Sequence, residues 1–131
     1  MKKILVVDDS RGWLNFHQTA LNEIYGDSIC IEMADSARAG YDAIYANLKE
    51  PYALIISDLQ MELDFEPLHA GEWFIEQVQK MTQYRNVPII IVSASYNVRS
   101  IAHHLGVDCL PKNIAINDKA AYRLAIEEAL M

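Results

Sequence analysis

Cysteine is nearly absent. Cys30 and Cys109 are too few and too far apart in sequence for a disulfide framework or a metal knuckle, so two reduced, mostly buried thiols are expected. Positive charge is scarce as well. Eleven Lys and Arg against 18 Asp and Glu leave a net charge of −7, which removes the basic footprint that non-specific nucleic-acid binding requires. No apolar run approaches the ~20 residues of a membrane span, so no membrane partner is expected. Met1-Lys2-Lys3 has the charge of a signal peptide's opening, but the apolar run behind it lasts four residues and ends in two aspartates. Export is therefore not expected, and the expected location is cytoplasmic. Repeats, low-complexity tracts and linkers are missing too, and at this length residues 1–131 read as one domain with no output domain.

What is present is an alternation. Apolar residues make up 52% and charged residues 22%, the balance of a globular chain. Short Val- and Ile-rich runs at 3–7, 28–33, 53–57, 89–92 and 107–110 read as buried strands of a parallel sheet. Between them lie amphipathic stretches. The first has Ser10 as N-cap, with Trp13, Phe16, Ala20, Leu21 and Ile24 at helical spacing until Gly26. A second runs from Asp35 or Ser36 to about 48, a third over about 71–84, a fourth over about 97–105 and a last over about 117–130. Five strand-helix units in strict alternation predict an α/β fold, a doubly wound parallel sheet of flavodoxin-like order 2-1-3-4-5 with helices on both faces.

In that order strands 1, 3, 4 and 5 are consecutive neighbours, about 4.8 Å apart. Their C-terminal residues are Asp8-Asp9, Asp58, Ser93 and the Pro111-Lys112 pair. Open α/β sheets place their ligand sites at this edge. Three carboxylates gathered there repel one another unless a cation joins them. Hard oxygen ligands at this density suit Mg²⁺, which keeps several waters and leaves room for a phosphoryl oxygen. Aspartate is a covalent phosphate acceptor, a Ser hydroxyl can donate to one phosphoryl oxygen, and Lys can pair with another. Phosphoryl transfer to Asp58 is therefore the chemistry this set of residues fits.

The set Asp8-Asp9, Asp58, Ser93-Ala94 and Lys112, in this order and spacing over essentially the whole chain, resembles the receiver domain of two-component response regulators. The resemblance implies that Asp58 is the phosphoacceptor, that Asp9 binds Mg²⁺ directly and that Asp8 acts mainly through water. It also implies the backbone carbonyl of Gln60 as a metal ligand, Ser93 as the switch hydroxyl and Lys112 as the holder of the phosphoryl group. The implied partners are a sensor histidine kinase or histidine phosphotransfer protein and a downstream protein target. The function is then a single-domain signalling module of the chemotaxis-regulator kind rather than an enzyme.

Three departures accompany the resemblance. The family usually has Lys followed by Pro, whereas Pro111 precedes Lys112 and Asn113 follows. A Tyr or Phe usually sits three residues before the lysine, where this chain has Cys109. The glycine that matches the family's, Gly71, comes 13 residues after Asp58, and the added stretch 62–69 is acidic with apolar residues interleaved. That stretch reads as a tolerated surface insertion, with a partner-selecting lid as the alternative. For the whole chain, the competing reading is a degenerate receiver that binds protein without phosphorylation. A Mg²⁺-dependent aspartyl phosphatase needs a second acid two residues after the nucleophile, where Gln60 stands. A flavin phosphate would be repelled by Asp8-Asp9.

Overall fold

The computed structural model describes residues 1–61 and 69–131. Its five parallel strands are β1 (Lys2–Val7), β2 (Ile29–Ala34), β3 (Leu54–Ser57), β4 (Ile89–Ser93) and β5 (Asp108–Pro111). They form one sheet in the order β2-β1-β3-β4-β5, as the alternation of elements predicts. The helices among the described residues are α1 (Arg11–Tyr25), α2 (Ala37–Ala46), α3 (Ala70–Gln79), α4 (Val98–Leu105), α5 (Lys112–Asn117) and α6 (Lys119–Leu130). None of them is long and apolar enough to cross a membrane.

Successive strand side chains point to opposite faces, so a strand covered on both sides must be apolar at every position. β1 meets that demand from Ile4 to Val7, its buried part. Leu5 and Val7 join a core with residues of α2, α3 and α4, and Ile4 and Val6 join a second core with α1 and α6. β3 and β4 extend both layers, through Ile55 and Ile91 on one face and Leu54, Ile56, Ile90 and Val92 on the other.

Local chemistry sets the helix ends. The Ser10 hydroxyl caps α1 by accepting from the Trp13 N–H at 3.3 Å. Ser36, and not Asp35, caps α2, accepting from Ala39 N–H at 3.0 Å. Gly106, at φ 72°, ends α4 in the left-handed region that favours glycine. Two helices differ from expectation. The one expected over 71–84 stops at Gln79, because Met81 is extended and a separate 3-10 turn, Thr82–Tyr84, follows. That turn buries Tyr84, whose hydroxyl donates to the Asn47 carbonyl at 2.9 Å. The chain after β5 is already helical at Lys112, and it breaks at Asp118, whose carboxylate accepts from Ala121 N–H at 3.0 Å to cap α6. The closing helix expected over about 117–130 is thus found as α6, and the short α5 ahead of it is an element the sequence did not signal.

The strand register brings the ends together. Val7 pairs with Ser57, Ser57 with Ile91, and Ser93 with Pro111. Asp8, Asp58, Ser93 and Lys112 therefore lie along the C-terminal edge of four adjacent strands. The added stretch read as an insertion or lid falls outside the described residues at 62–68.

Candidate functional site

Asp8 follows β1 directly and is 1% exposed. Its Oδ1 accepts from the Ser10 N–H at 2.9 Å, which orients the carboxylate before the chain turns into α1. Its Oδ2 is buried, has no hydrogen-bond partner among the described residues, and faces the Lys112 ammonium at 3.1 Å as an ion pair. Burial raises the Asp8 pKa from 3.8 to about 6, and Asp58 adds to the rise. The Ser10 N–H and the Lys112 charge oppose it without cancelling it.

Asp58 follows β3 and is 6% exposed. The Leu59 N–H donates to its Oδ1 at 2.7 Å and the Lys112 ammonium to its Oδ2 at 2.9 Å. The backbone beneath it is clamped by α3. The Gly71 N–H donates to the Leu59 carbonyl at 3.0 Å. A Cβ on Gly71 would lie 2.4 Å from the Asp58 carbonyl oxygen and 2.5 Å from the Leu59 Cα, so only glycine lets the helix approach this closely. Leu59 and Met61, at 2% and 0% exposure, anchor the same segment in the core.

Lys112 opens α5 and joins the two carboxylates. Burial works against its charge, but the bond to Asp58 and the charges of Asp58 and Asp8 outweigh it, so its pKa lies above the usual lysine value. The Pro111-Lys112 order thus still delivers an ammonium to the acidic pair, although the family's order is the reverse.

One carboxylate oxygen each from Asp8, Asp9 and Asp58 lies within 4.8 Å of the others. Set against the single Lys112 ammonium, the cluster carries an excess of negative charge when its acids are ionised. Three carboxylates set against one ammonium, an all-oxygen donor set, fit a hard divalent cation. Gln60 is an exposed residue between the buried Leu59 and Met61. Ser93 is 1% exposed at the end of β4, and its hydroxyl is engaged with Ser95, through the Ser95 hydroxyl and N–H, both at 3.2 Å. Cys109 pairs with Ile91 on β5 and packs, half-buried, against the core shared by α2, α3 and α4. His103 and His104 are exposed in the last turn of α4, as adjacent helical histidines are expected to be.

Two contributors escaped the sequence reading. Trp13, read from sequence only as a member of the apolar stripe of the first helix, lays its ring against the Lys112 ammonium, 4.8 Å from nitrogen to centroid. His17 is 1% exposed, with Nδ1 2.8 Å from the Tyr122 hydroxyl. Burial and then the Lys112 charge press its pKa down to about 3, so it is neutral. The signal for His17 was its position, one helical turn from both Trp13 and Leu21 on the apolar stripe of α1.

No protein-family model matches the chain, and no curated protein is a match to it. Solved structures do match. A response regulator receiver domain from Clostridium thermocellum is similar over 99% of this chain and 94% of that one, at 22% identity and TM-score 0.77. The chemotaxis protein CheY4 of Vibrio cholerae covers 99% of both chains at 22% identity and TM-score 0.73. The Mn²⁺-bound form of the response regulator Rcp1 is similar over 98% of this chain and 93% of its own, at 19% identity and TM-score 0.72. Likeness at this level of identity establishes the fold, which is that of response regulator receiver domains.

Proposed function

We propose that residues 1–131 act as one receiver unit that takes a phosphoryl group onto Asp58 from a phosphohistidine donor and signals the change to a protein partner. The observation that carries this reading is the Lys112 ammonium joined to both Asp58 and Asp8, at 2.9 and 3.1 Å, beside a three-carboxylate cluster. Asp58 supplies the nucleophilic oxygen. A new O–P bond forms on its carboxylate as the donor's P–N bond breaks, and the donor imidazole keeps the electron pair. The Leu59 N–H and the Lys112 ammonium hold the two carboxylate oxygens of Asp58 before transfer, which fixes the attacking group. Lys112 then pairs with the transferred group as a point charge.

Asp8, Asp9, Asp58 and the Gln60 carbonyl would hold Mg²⁺. Its contribution there is to neutralise the crowded carboxylates and the charge on the moving phosphoryl oxygens. The Ser93 hydroxyl exchanges its Ser95 contacts for a phosphoryl oxygen, and that exchange is a population shift driven by new charge-assisted bonds. The donor is a sensor histidine kinase or a histidine phosphotransfer protein in the cytoplasm, and the output is a protein contact rather than catalysis, nucleic-acid binding or membrane attachment.

The test is intact mass after incubation with acetyl phosphate and Mg²⁺, for the native chain and for Asp58→Asn. One phosphoryl adduct that requires Mg²⁺ and vanishes in the variant is expected. Absence of the adduct with both acetyl phosphate and a phosphorylated histidine donor overturns the reading in favour of a phosphorylation-independent binding scaffold.

A further inference from the structure

We infer that Trp13 is a positioning residue for Lys112, its indole face holding the ammonium in place while Asp58 and Asp8 change partners. The inference rests on the reading of Asp58 as phosphoacceptor. Among the described residues the ammonium meets Asp58 at 2.9 Å, Asp8 at 3.1 Å and the Trp13 ring at 4.8 Å from its centroid. Both carboxylate contacts are to oxygens that a metal ion or a transferred phosphoryl group would engage. The ring is the contact that neither event consumes. A flexible four-carbon stem carrying a compact charge needs a fixed support, and among the described residues the ring supplies one that is not a carboxylate.

The indole is itself braced. Its edge packs on Phe16 at 4.9 Å and 65°, and His17 lies tilted beside it at 5.9 Å. Phe16 meets Tyr122 of α6 edge-on at 5.4 Å, and the Tyr122 hydroxyl bonds His17 Nδ1 at 2.8 Å. The rings thus tie α1 to α6 beneath Lys112. His17, buried and neutral, places no second cation against the indole to compete with the ammonium.

The experiment uses the full chain with Trp73→Phe, so that Trp13 is the single tryptophan, and replaces it with tryptophan carrying one to four ring fluorines. Fluorine withdraws charge from the ring face while leaving its shape nearly unchanged, so the fold is kept. Two signals are read: the NMR shift of the Lys112 ε-methylene, and the rate of Mg²⁺-dependent phosphorylation by acetyl phosphate. Expected are an upfield methylene signal that persists when Mg²⁺ is added, and a rate that falls stepwise with fluorine number. The full loss should be about two- to thirtyfold, the range of one cation–π contact from exposed to desolvated. Trp13→Leu is expected to return the methylene signal to its free position, and Trp13→Phe to restore part of the displacement. A chain that is phosphorylated normally with a rate flat across the series overturns the inference and leaves the phosphoacceptor reading standing. A chain that accepts no phosphoryl group from acetyl phosphate or from a phosphorylated histidine donor overturns that reading and the inference with it.

Discussion

Removing the charge of Asp8 is expected to stabilise the protein in the absence of metal. The side chain is 1% exposed, and burial together with Asp58 raises its pKa from 3.8 to about 6. Between those two values the folded state holds a proton that the unfolded chain has released, so stability falls as pH rises through the window. A difference of about two pH units corresponds to about 3 kcal/mol once Asp8 is fully ionised. Asp8→Asn carries no such term. In EDTA, wild type and variant should therefore have similar stability near pH 4 and separate by about 3 kcal/mol above pH 6, with the variant the more stable. Unfolding entropy of about 2.1 cal/mol/K per residue makes this a gap of roughly 10 °C in Tm for a chain of this size. The assay is thermal unfolding from pH 4 to 8. Coincident melting at pH 7.5, or a gap that does not narrow towards pH 4, would refute the placement of Asp8 as a strained, buried carboxylate. Added Mg²⁺ is expected to close most of the gap, because a ligand that binds the folded state at a hundredfold excess over its Kd stabilises by about 2.7 kcal/mol, and the variant has lost one of the three carboxylates.

His17 works in the opposite sense. Its folded pKa is lowered from 6.5 to about 3, so the stability it secures is present above pH 6.5 and is lost as pH falls towards 3, by about 1.4 kcal/mol per pH unit. His17→Gln should flatten that acid slope when urea midpoints at pH 7.5 and 4.5 are compared, and an unchanged slope would mean that His17 is not held neutral. Gly71→Ala should cost about 1–3 kcal/mol, because its Cβ would press on the Asp58–Leu59 backbone, and it should slow acetyl phosphate labelling of Asp58. Normal urea midpoints and normal labelling would show that this contact relaxes freely.

The fold was legible because each central strand carries an unbroken apolar run of three residues or more. Ile4 to Val7 and Leu54 to Ile56 feed two cores at once, which only a sheet covered on both faces allows. Once that sheet is assumed, the order of strands places Asp8, Asp58, Ser93 and Lys112 on one edge without further information. Boundaries set by single side chains were less visible. The break at Met81 depends on burying Tyr84 against Asn47, a tertiary contact with no periodic signature, and the short helix Lys112–Asn117 shows none either, whereas the local cap at Asp118 lies where the closing helix was expected to begin.

The partners of Lys112 divide along the same line. Its two carboxylates lie at strand ends, where register alone predicts proximity, but Trp13 reaches it from the first turn of a helix whose rotation about its axis the sequence leaves open. The aromatic position three residues before Lys112 is held here by Cys109, whose half-buried thiol packs with the α2, α3 and α4 side of the sheet. The aromatic contact to Lys112 comes instead from α1, and from Trp13 it continues through Phe16 to Tyr122 on α6. A displacement of the Lys112 ammonium therefore meets close-packed rings on the α1 and α6 side. On the α4 side the groups at the neighbouring strand ends are the Ser93 hydroxyl and Pro111, with the Cys109 thiol two residues further back along β5. Among the described residues, the ring contacts of this chain thus link its lysine to α1 and, through Phe16, to α6.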